Sequence, residues 1–432
     1  MSIGRSSVRA QSGSAAAVGE GRRRLMVGVR CASGCRGATA TLISAEGSGL
    51  AMRVRIEAVE TMVAEASLPA SYARLTSRDS QTPGEAGWLA VAIAHLAADA
   101  TTRLLGRFPI LADEVLAAGV YEPGLWHVGR DTQSACVPLF EPAVFAQQTG
   151  LPVVDAFAAS DLAVGGQGGP ILALPLWILL ADRRGTRLLI DLGRTTRLTF
   201  LPPRDLGPHG LLSFDVGPGM ILPDTLSEQF SYGQQHYDPG GTMAVQGRCI
   251  GNLIDLWLAD PYFHRPPPRW YPLGVRPDEE LHKTVQMAVE EGWTVRDLLC
   301  TATHFIAESI ARAVGMHMPS ANAIGEVLLA GGGARNGFLL AEIARRIPGT
   351  ARRRATDDHA SGDTLEASAA AVLGLMFIDQ TPGNPREVTG SASSSVLGRL
   401  TPGGRLRWER LLSAMADLAS IQPSLRNAVT VS

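Results

Sequence analysis

Apolar and polar positions fall into two separated blocks with the same local rhythm. In the first block, LMVGV at 25–29 and ATATLI at 38–43 are short apolar runs suited to buried strands, and MRVRIEA at 52–58 alternates apolar with charged residues like a strand exposed on one face. In the second, RLLIDL at 187–192, RLTFL at 197–201 and LLSFD at 211–215 predict three more strands separated by Gly- and Pro-bearing turns. Leu89, Ile93, Leu96, Ala100 and Leu104 recur every three or four residues and predict a helix over 85–105, which Pro109 helps to end. Helical material is expected over 281–315, a strand at 324–330, a helix over 337–347 with Leu339, Leu340 and Ile343 on its apolar face, and an alanine-rich helix over 363–378. The pattern describes an α/β chain with two similar lobes: a flexible tail over 1–21, an N-terminal lobe over 22–180 and a C-terminal lobe over 181–432.

Composition narrows the class. With 432 residues, 45% hydrophobic and 19% charged, the chain is expected to fold and to bury two or three cores of ordinary size. The 39 basic and 41 acidic residues leave a net charge of −2, which gives no reason to expect a nucleic-acid or membrane-surface partner. Five cysteines, Cys31, Cys35, Cys136, Cys249 and Cys300, are too few for a disulfide scaffold and read as small buried side chains rather than metal ligands. No uninterrupted apolar run of about 18 residues predicts a membrane span. Arg22, Arg23 and Arg24 lead only into the short LMVGV run, so a cytoplasmic location is expected.

Three segments suggest chemistry. GEVLLAGGGARN at 325–336 is a strand feeding Gly331, Gly332 and Gly333, with Asn336 ahead of a helix; it is either a ligand loop or a structural turn. FDVGPG at 214–219 places Asp215, Gly217 and Gly219 after a strand, where the acid either holds a magnesium-bound water or stabilises a turn. Asp161 stands at the exit of a predicted strand, in ASDLAVGGQGGP, where the glycines would leave room for a substrate and the carboxylate could take a proton from water or a hydroxyl. His127 and Asp131 are a further polar pair for which an ordinary structural role is expected.

SDLAVGGQGGP at 160–170, FDVGPG at 214–219, YDPGGTMAVQG at 237–247, DPYF at 260–263, LLAGGGARN at 328–336 and GDTLEASAAAVLG at 362–374 together resemble the anhydro-N-acetylmuramic acid kinase family, in their order as much as in their residues. The resemblance implies a two-lobed actin/hexokinase-like sugar-kinase fold with ATP and magnesium in a central cleft. It implies hydrolytic opening of a 1,6-anhydro amino sugar and phosphorylation of the released 6-hydroxyl, in peptidoglycan recycling, by a protein commonly dimeric. Asp161 would activate the water. Gly165, Gly166, Gln167 and Gly168 would line the sugar. Cys31, Ala32, Ser33, Gly34, Cys35, Arg36, Gly37 and Ala38 would form the first phosphate loop, and Asp215, Gly217, Gly331, Gly332, Gly333, Asn336 and Glu366 the rest of the nucleotide site, with Asp215 reaching the metal through water.

Departures from the family pattern cluster in the phosphate loops. A GxMSGTSxDGxD-like opening reads GVRCASGCRGAT at 28–39, which puts Arg36 and Thr39 where the family has acids. A NIGGIAN-like second loop reads DLGRTTR at 191–197, with Arg194 for a glycine and Arg197 for an asparagine. An FRxRD-like segment reads FAASD at 157–161, and HVGR at 127–130 stands for an SHGQ-like one. A kinase and a catalytically weak or inactive sugar- or protein-binding relative are therefore both open, as is another nucleotide-dependent carbohydrate enzyme.

Overall fold

The computed structural model describes residues 23–32, 34–76, 82–127, 134–271, 284, 286–288, 290–318, 324–347, 351–354 and 362–421. The tail expected over 1–21, Ser33, Asp131 and much of 281–290 lie outside them.

Each apolar block forms an antiparallel meander. β1 (Arg24–Cys31), β2 (Gly37–Glu46) and β3 (Arg53–Val63) are paired in sequence order. β4 (Val115–Tyr121) lies parallel to β1, and β5 (Gly124–His127) pairs with β6 (Ala135–Pro138) as a separate small ribbon. β7 (Val153–Asp155) continues the first sheet parallel to β4. In the second sheet β8 (Arg187–Leu192), β9 (Thr195–Leu201) and β10 (Leu212–Pro218) form the meander, and β11 (Glu326–Ala330) and β12 (Ala351–Arg354) add in parallel beyond β8. The first strand of each meander is thus the inner strand on which the parallel strands build, and the two sheets share this order. The chain is a mixed α/β protein with two sheets of related topology.

Burial follows the sequence pattern. β1 and β2 are buried along nearly their whole length because helices cover both of their faces, whereas the edge strand β3 alternates. The helix Pro83–Gly106 covers one face with Leu89, Ile93, Ala97, Leu104 and Leu105. It is the one helix among the described residues long and apolar enough to cross a membrane by length and composition, and half of its most apolar stretch is buried in the protein. The second sheet packs on the helix Val295–His317, whose start is fixed by a reciprocal Thr294–Asp297 capping box.

The C-terminal segment crosses back to the first sheet, which a division between 180 and 181 does not anticipate. β13 (Arg399–Thr401) pairs with β7, and the helix Gly362–Ile378 packs on β1 and β4. Its alanine-rich composition is the reason it can lie so close. A Cβ on Gly28 would overlap the Ala367 carbonyl, and one on Gly119 the Ala370 carbonyl. Gly28→Ala is accordingly expected to lower stability by about 1–3 kcal/mol through overpacking, visible as a lower urea midpoint with unchanged slope. The close approach also sets the start of this helix, with Asp363 and Glu366, over the end of β1.

Candidate active site

The ends of β1, β4, β8, β9 and β10 and the start of the Gly362–Ile378 helix bring a cluster of charges together. Arg30, at the end of β1, ion-pairs with Glu366 and lies 5.0 Å from the centre of the Tyr121 ring. Arg197 on β9 pairs through Nε with Asp215 Oδ1 on β10 at 2.7 Å. Asp191 on β8 lies within the same field, its carboxyl pushed up to about 7 by burial and by Glu366 and Asp215, against the pull of Arg197 and Arg30. A buried cation, Arg30, and a half-buried one, Arg197, among several acids form an alternating network, in which each charge depends on its neighbours for solvation.

Asp215 is fully buried, and its second oxygen accepts the Tyr271 amide at 3.0 Å, while its carbonyl accepts the Tyr262 hydroxyl at 2.7 Å. Both carboxylate oxygens are committed and neither faces solvent. The oxygens expected to reach a metal through water are held here by Arg197 and the Tyr271 amide. Glu366 is drawn to Arg30, and no group of three His, Cys, Asp or Glu side chains among the described residues could hold a metal. The residues present do not fit a protein-held magnesium ion.

The glycines of the expected nucleotide loops are largely explained by close chain packing. A Cβ on Gly331 (φ +81°) would come within 2.6 Å of Asp191 Oδ1, one on Gly333 within 2.8 Å of the Leu192 Cβ and Met220 Sδ, and one on Gly217 within 2.7 Å of the Phe263 ring. Gly332 alone of the triple glycine opens onto free space. The Asn336 side-chain oxygen Oδ1 caps the helix Gly337–Arg346 by accepting the Leu339 amide at 3.0 Å. These contacts do draw the Gly331 turn, the β8–β9 turn and the end of β10 into one place.

Asp161 lies within a short helix, Phe157–Ala163, and not at a strand exit, since β7 stops at Asp155 and Ala156 turns the chain with a left-handed φ of 59°. The side chain is fully buried. Oδ2 accepts the Gly168 amide at 2.8 Å and Oδ1 accepts Asn384 Nδ2 at 3.0 Å. Space assigned to a substrate by the glycines is occupied by the protein itself: a Cβ on Gly166 would overlap the Asp161 carboxylate, and one on Gly168 would meet the Trp126 ring at 2.8 Å. Gln167 donates to the Pro268 carbonyl at 3.0 Å, and the Gly165 amide bonds to the Leu162 carbonyl. Trp126 and Trp270 stand beside this loop with ring centres 4.4 Å apart.

The expected first phosphate loop is the β1–β2 turn. The Cys31 and Cys35 thiols are buried, and burial pushes both up to about 12, so they are inert small side chains. Gly37 and Ala38 belong to β2, Ala32 and Gly34 form the turn, and Arg36 is exposed on it. His127 ends β5.

Sequence reasoning did not single out Arg30, Asp191, Glu122 or Asn384. Arg30 carried a signal, a charge within the apolar run LMVGVRC, because a buried guanidinium requires an acid. Glu122 follows β4, and its Oε1 accepts the Ala156 amide at 3.1 Å, holding the bend before the Asp161 helix. Burial, then the neighbouring Asp155 carboxylate, pushes the Glu122 carboxyl up to about 8. The folded state therefore holds this proton more tightly than the unfolded chain, and the stability it confers is complete below about pH 4.5 and lost as pH rises through about 8. Glu122→Gln keeps the acceptor without the titration and should fall less in melting temperature between pH 6 and 9 than the parent protein.

The anhydro-N-acetylmuramic acid kinase family model matches residues 25–403. A protein of Parasynechococcus marenigrum (strain WH8102) named anhydro-N-acetylmuramic acid kinase is 34% identical over 291 residues, covering 66% of this chain and 76% of that one. Its namesake in Cupriavidus pinatubonensis (strain JMP 134 / LMG 1197) is 32% identical over 320 residues, 72% of this chain and 81% of the relative. Among solved structures, a ROK hexokinase from Thermus thermophilus aligns at a TM-score of 0.34 with 16% identity, over 81% of this chain and 99% of that one. On the extent of the family match, the chain belongs to the anhydro-N-acetylmuramic acid kinase family.

Proposed function

We propose that the protein is a catalytically weak member of its family, binding a 1,6-anhydro amino sugar and ATP between its two sheets and converting them slowly to the sugar 6-phosphate and ADP. In this reading water attacks the anomeric carbon and gives a proton to Asp161, the bridge oxygen leaves as the C6 alkoxide and takes the phosphoryl group as ADP departs, and the proton on Asp161 passes to solvent. ATP would supply that group from beside Gly332 and the β8–β9 turn. The sugar would lie near Asp161, with Trp126 and Trp270 offering apolar ring faces.

One observation carries the word weak: Arg197 and Arg30 engage Asp215 and Glu366, so the carboxylates that would otherwise meet a hydrated cation are neutralised within the protein. Asp161 adds to this, because both of its oxygens already accept hydrogen bonds and one must be exchanged for the attacking water. A wholly inactive sugar-binding protein is the second reading, favoured by the complete burial of Asp161.

Long incubation with 1,6-anhydro-N-acetylmuramic acid, ATP and magnesium, with the product identified by mass and ADP measured alongside, separates the two. Sugar phosphate accumulating in step with ADP supports the slow enzyme. ADP without sugar phosphate, or neither product from folded protein, leaves only the binding role.

A further inference from the structure

The turn at 165–169 is glycine at every position but Gln167. Glycine gives up more conformational freedom on folding than any other residue, so such a turn takes its shape from what packs on it. That shape bears on Asp161, because the Gly168 amide donates to its Oδ2 at 2.8 Å. Gln167 is held at two points: its amide donates to the Thr389 carbonyl at 2.9 Å, and its Nε2 to the Pro268 carbonyl at 3.0 Å. The Trp270 ring lies against Gly169, where a Cβ would come within 3.1 Å of its Cδ1, and tilts onto the Trp126 ring that closes over Gly168. Pro268 and Trp270 are in turn anchored on the second sheet. Between them the Arg269 carbonyl accepts the Asp215 amide of β10 at 3.2 Å, and Arg269 Nε donates to the Asp215 carbonyl at 3.1 Å. Next in the chain, the Tyr271 amide donates to Asp215 Oδ2 at 3.0 Å. Arg269 is buried, with its guanidinium 5.1 Å from the centre of the Phe214 ring.

The segment 268–271 is thus tied to β10 on one side and to the Asp161 turn on the other. We propose that it is a strap through which the second sheet positions the Asp161 carboxylate, with Trp270 as the positioning residue. Its ring, pressed on Gly169 and Trp126, keeps the Gly168 amide aimed at Oδ2. The inference rests on the reading of Asp161 as the base, and extends it. Asp215, already engaged by Arg197, serves here as the anchor of the strap, so the base is in place only while the two sheets keep this spacing. A misplacement of about 1 Å at a reacting centre is enough to cost about 100-fold in rate.

Hydrogen–deuterium exchange of the full chain, read by mass over 163–170, tests the strap. Trp270→Ala should speed exchange there by about 10- to 100-fold and leave the helix Pro83–Gly106 unchanged, which shows that the variant folds. Trp270→Phe keeps a ring against Gly169 and should restore most of the protection. Gln167→Ala should speed exchange about fivefold, the worth of one hydrogen bond, and carries the same test should Trp270→Ala lose protection throughout. In sugar 6-phosphate formation Trp270→Ala should lower kcat by about 10- to 100-fold with the KM for ATP kept, and Trp270→Phe should recover most of the rate. A residue serving stability alone would lower the melting temperature without that split. Exchange over 163–170 that matches the parent in the variants, or a kcat that stays at the parent level, overturns the proposal. A parent protein that forms no sugar phosphate removes the proposed function while exchange still decides the strap, so the two fail separately.

Discussion

Asp161→Asn should reduce the residual rate of sugar phosphate formation by on the order of 100- to 10000-fold, the usual contribution of a positioned general base. The substitution is not silent in the fold. Asp161 accepts from two donors, Gly168 N and Asn384 Nδ2, and the latter side chain is fixed by its own Oδ1, which accepts the Ser395 amide at 2.6 Å. An asparagine amide at 161 must face one donor with another, at a cost of about 1–3 kcal/mol. The exchange Asp161→Asn with Asn384→Asp separates the effects, because the bonds to Gly168, to Ser395 and between 161 and 384 each keep a donor and an acceptor, only the 3.3 Å bond from Asn384 Nδ2 to the Ser393 carbonyl is given up, and the base leaves position 161. The double variant should recover most of the melting temperature and remain slow. Recovery of rate along with stability would show that Asp161 serves the fold and not the proton transfer.

Arg197→Ala is expected to cost about 3–5 kcal/mol of stability, since it leaves the fully buried Asp215 carboxylate beside Asp191 with its cation removed. That is a large part of the 5–15 kcal/mol that holds an ordinary domain together. Chemical denaturation should show an early transition. An exposed ion pair such as Arg405–Glu409 provides the contrast: Arg405→Ala should change stability by less than about 1 kcal/mol. Equal effects at the two positions would mean that the Arg197–Asp215 pair is not desolvated as described.

The elements were legible because each is a local pattern. RLLIDL became β8 over its whole length, and the helix expected over 363–378 is Gly362–Ile378. Similarity of the two halves was also readable, since it rests on three-strand rhythms that recur in 25–58 and 187–215. The site was read less well because its contacts are remote in sequence. Arg30 meets Glu366 across 336 positions, and Asn384 reaches Asp161 across 223. Spacing cannot disclose such pairs. Glycines misled for a related reason: Gly166 and Gly331 read as room for a ligand, whereas the Asp161 and Asp191 carboxylates occupy that room. Arg36, Arg194 and Arg197 were visible as departures from the family pattern, but only the folded chain shows that Arg197 is consumed by Asp215.

The steady-state rate of sugar 6-phosphate formation, at saturating ATP, magnesium and 1,6-anhydro-N-acetylmuramic acid and with the product verified by mass, tests the central claim most directly. Kinases ordinarily turn over at about 1–100 per second. With Asp215 and Glu366 neutralised by arginines, this chain should turn over at least about a hundredfold below the lower end of that range. A rate within it would contradict the account, showing that the Arg30 and Arg197 ion pairs do not limit catalysis.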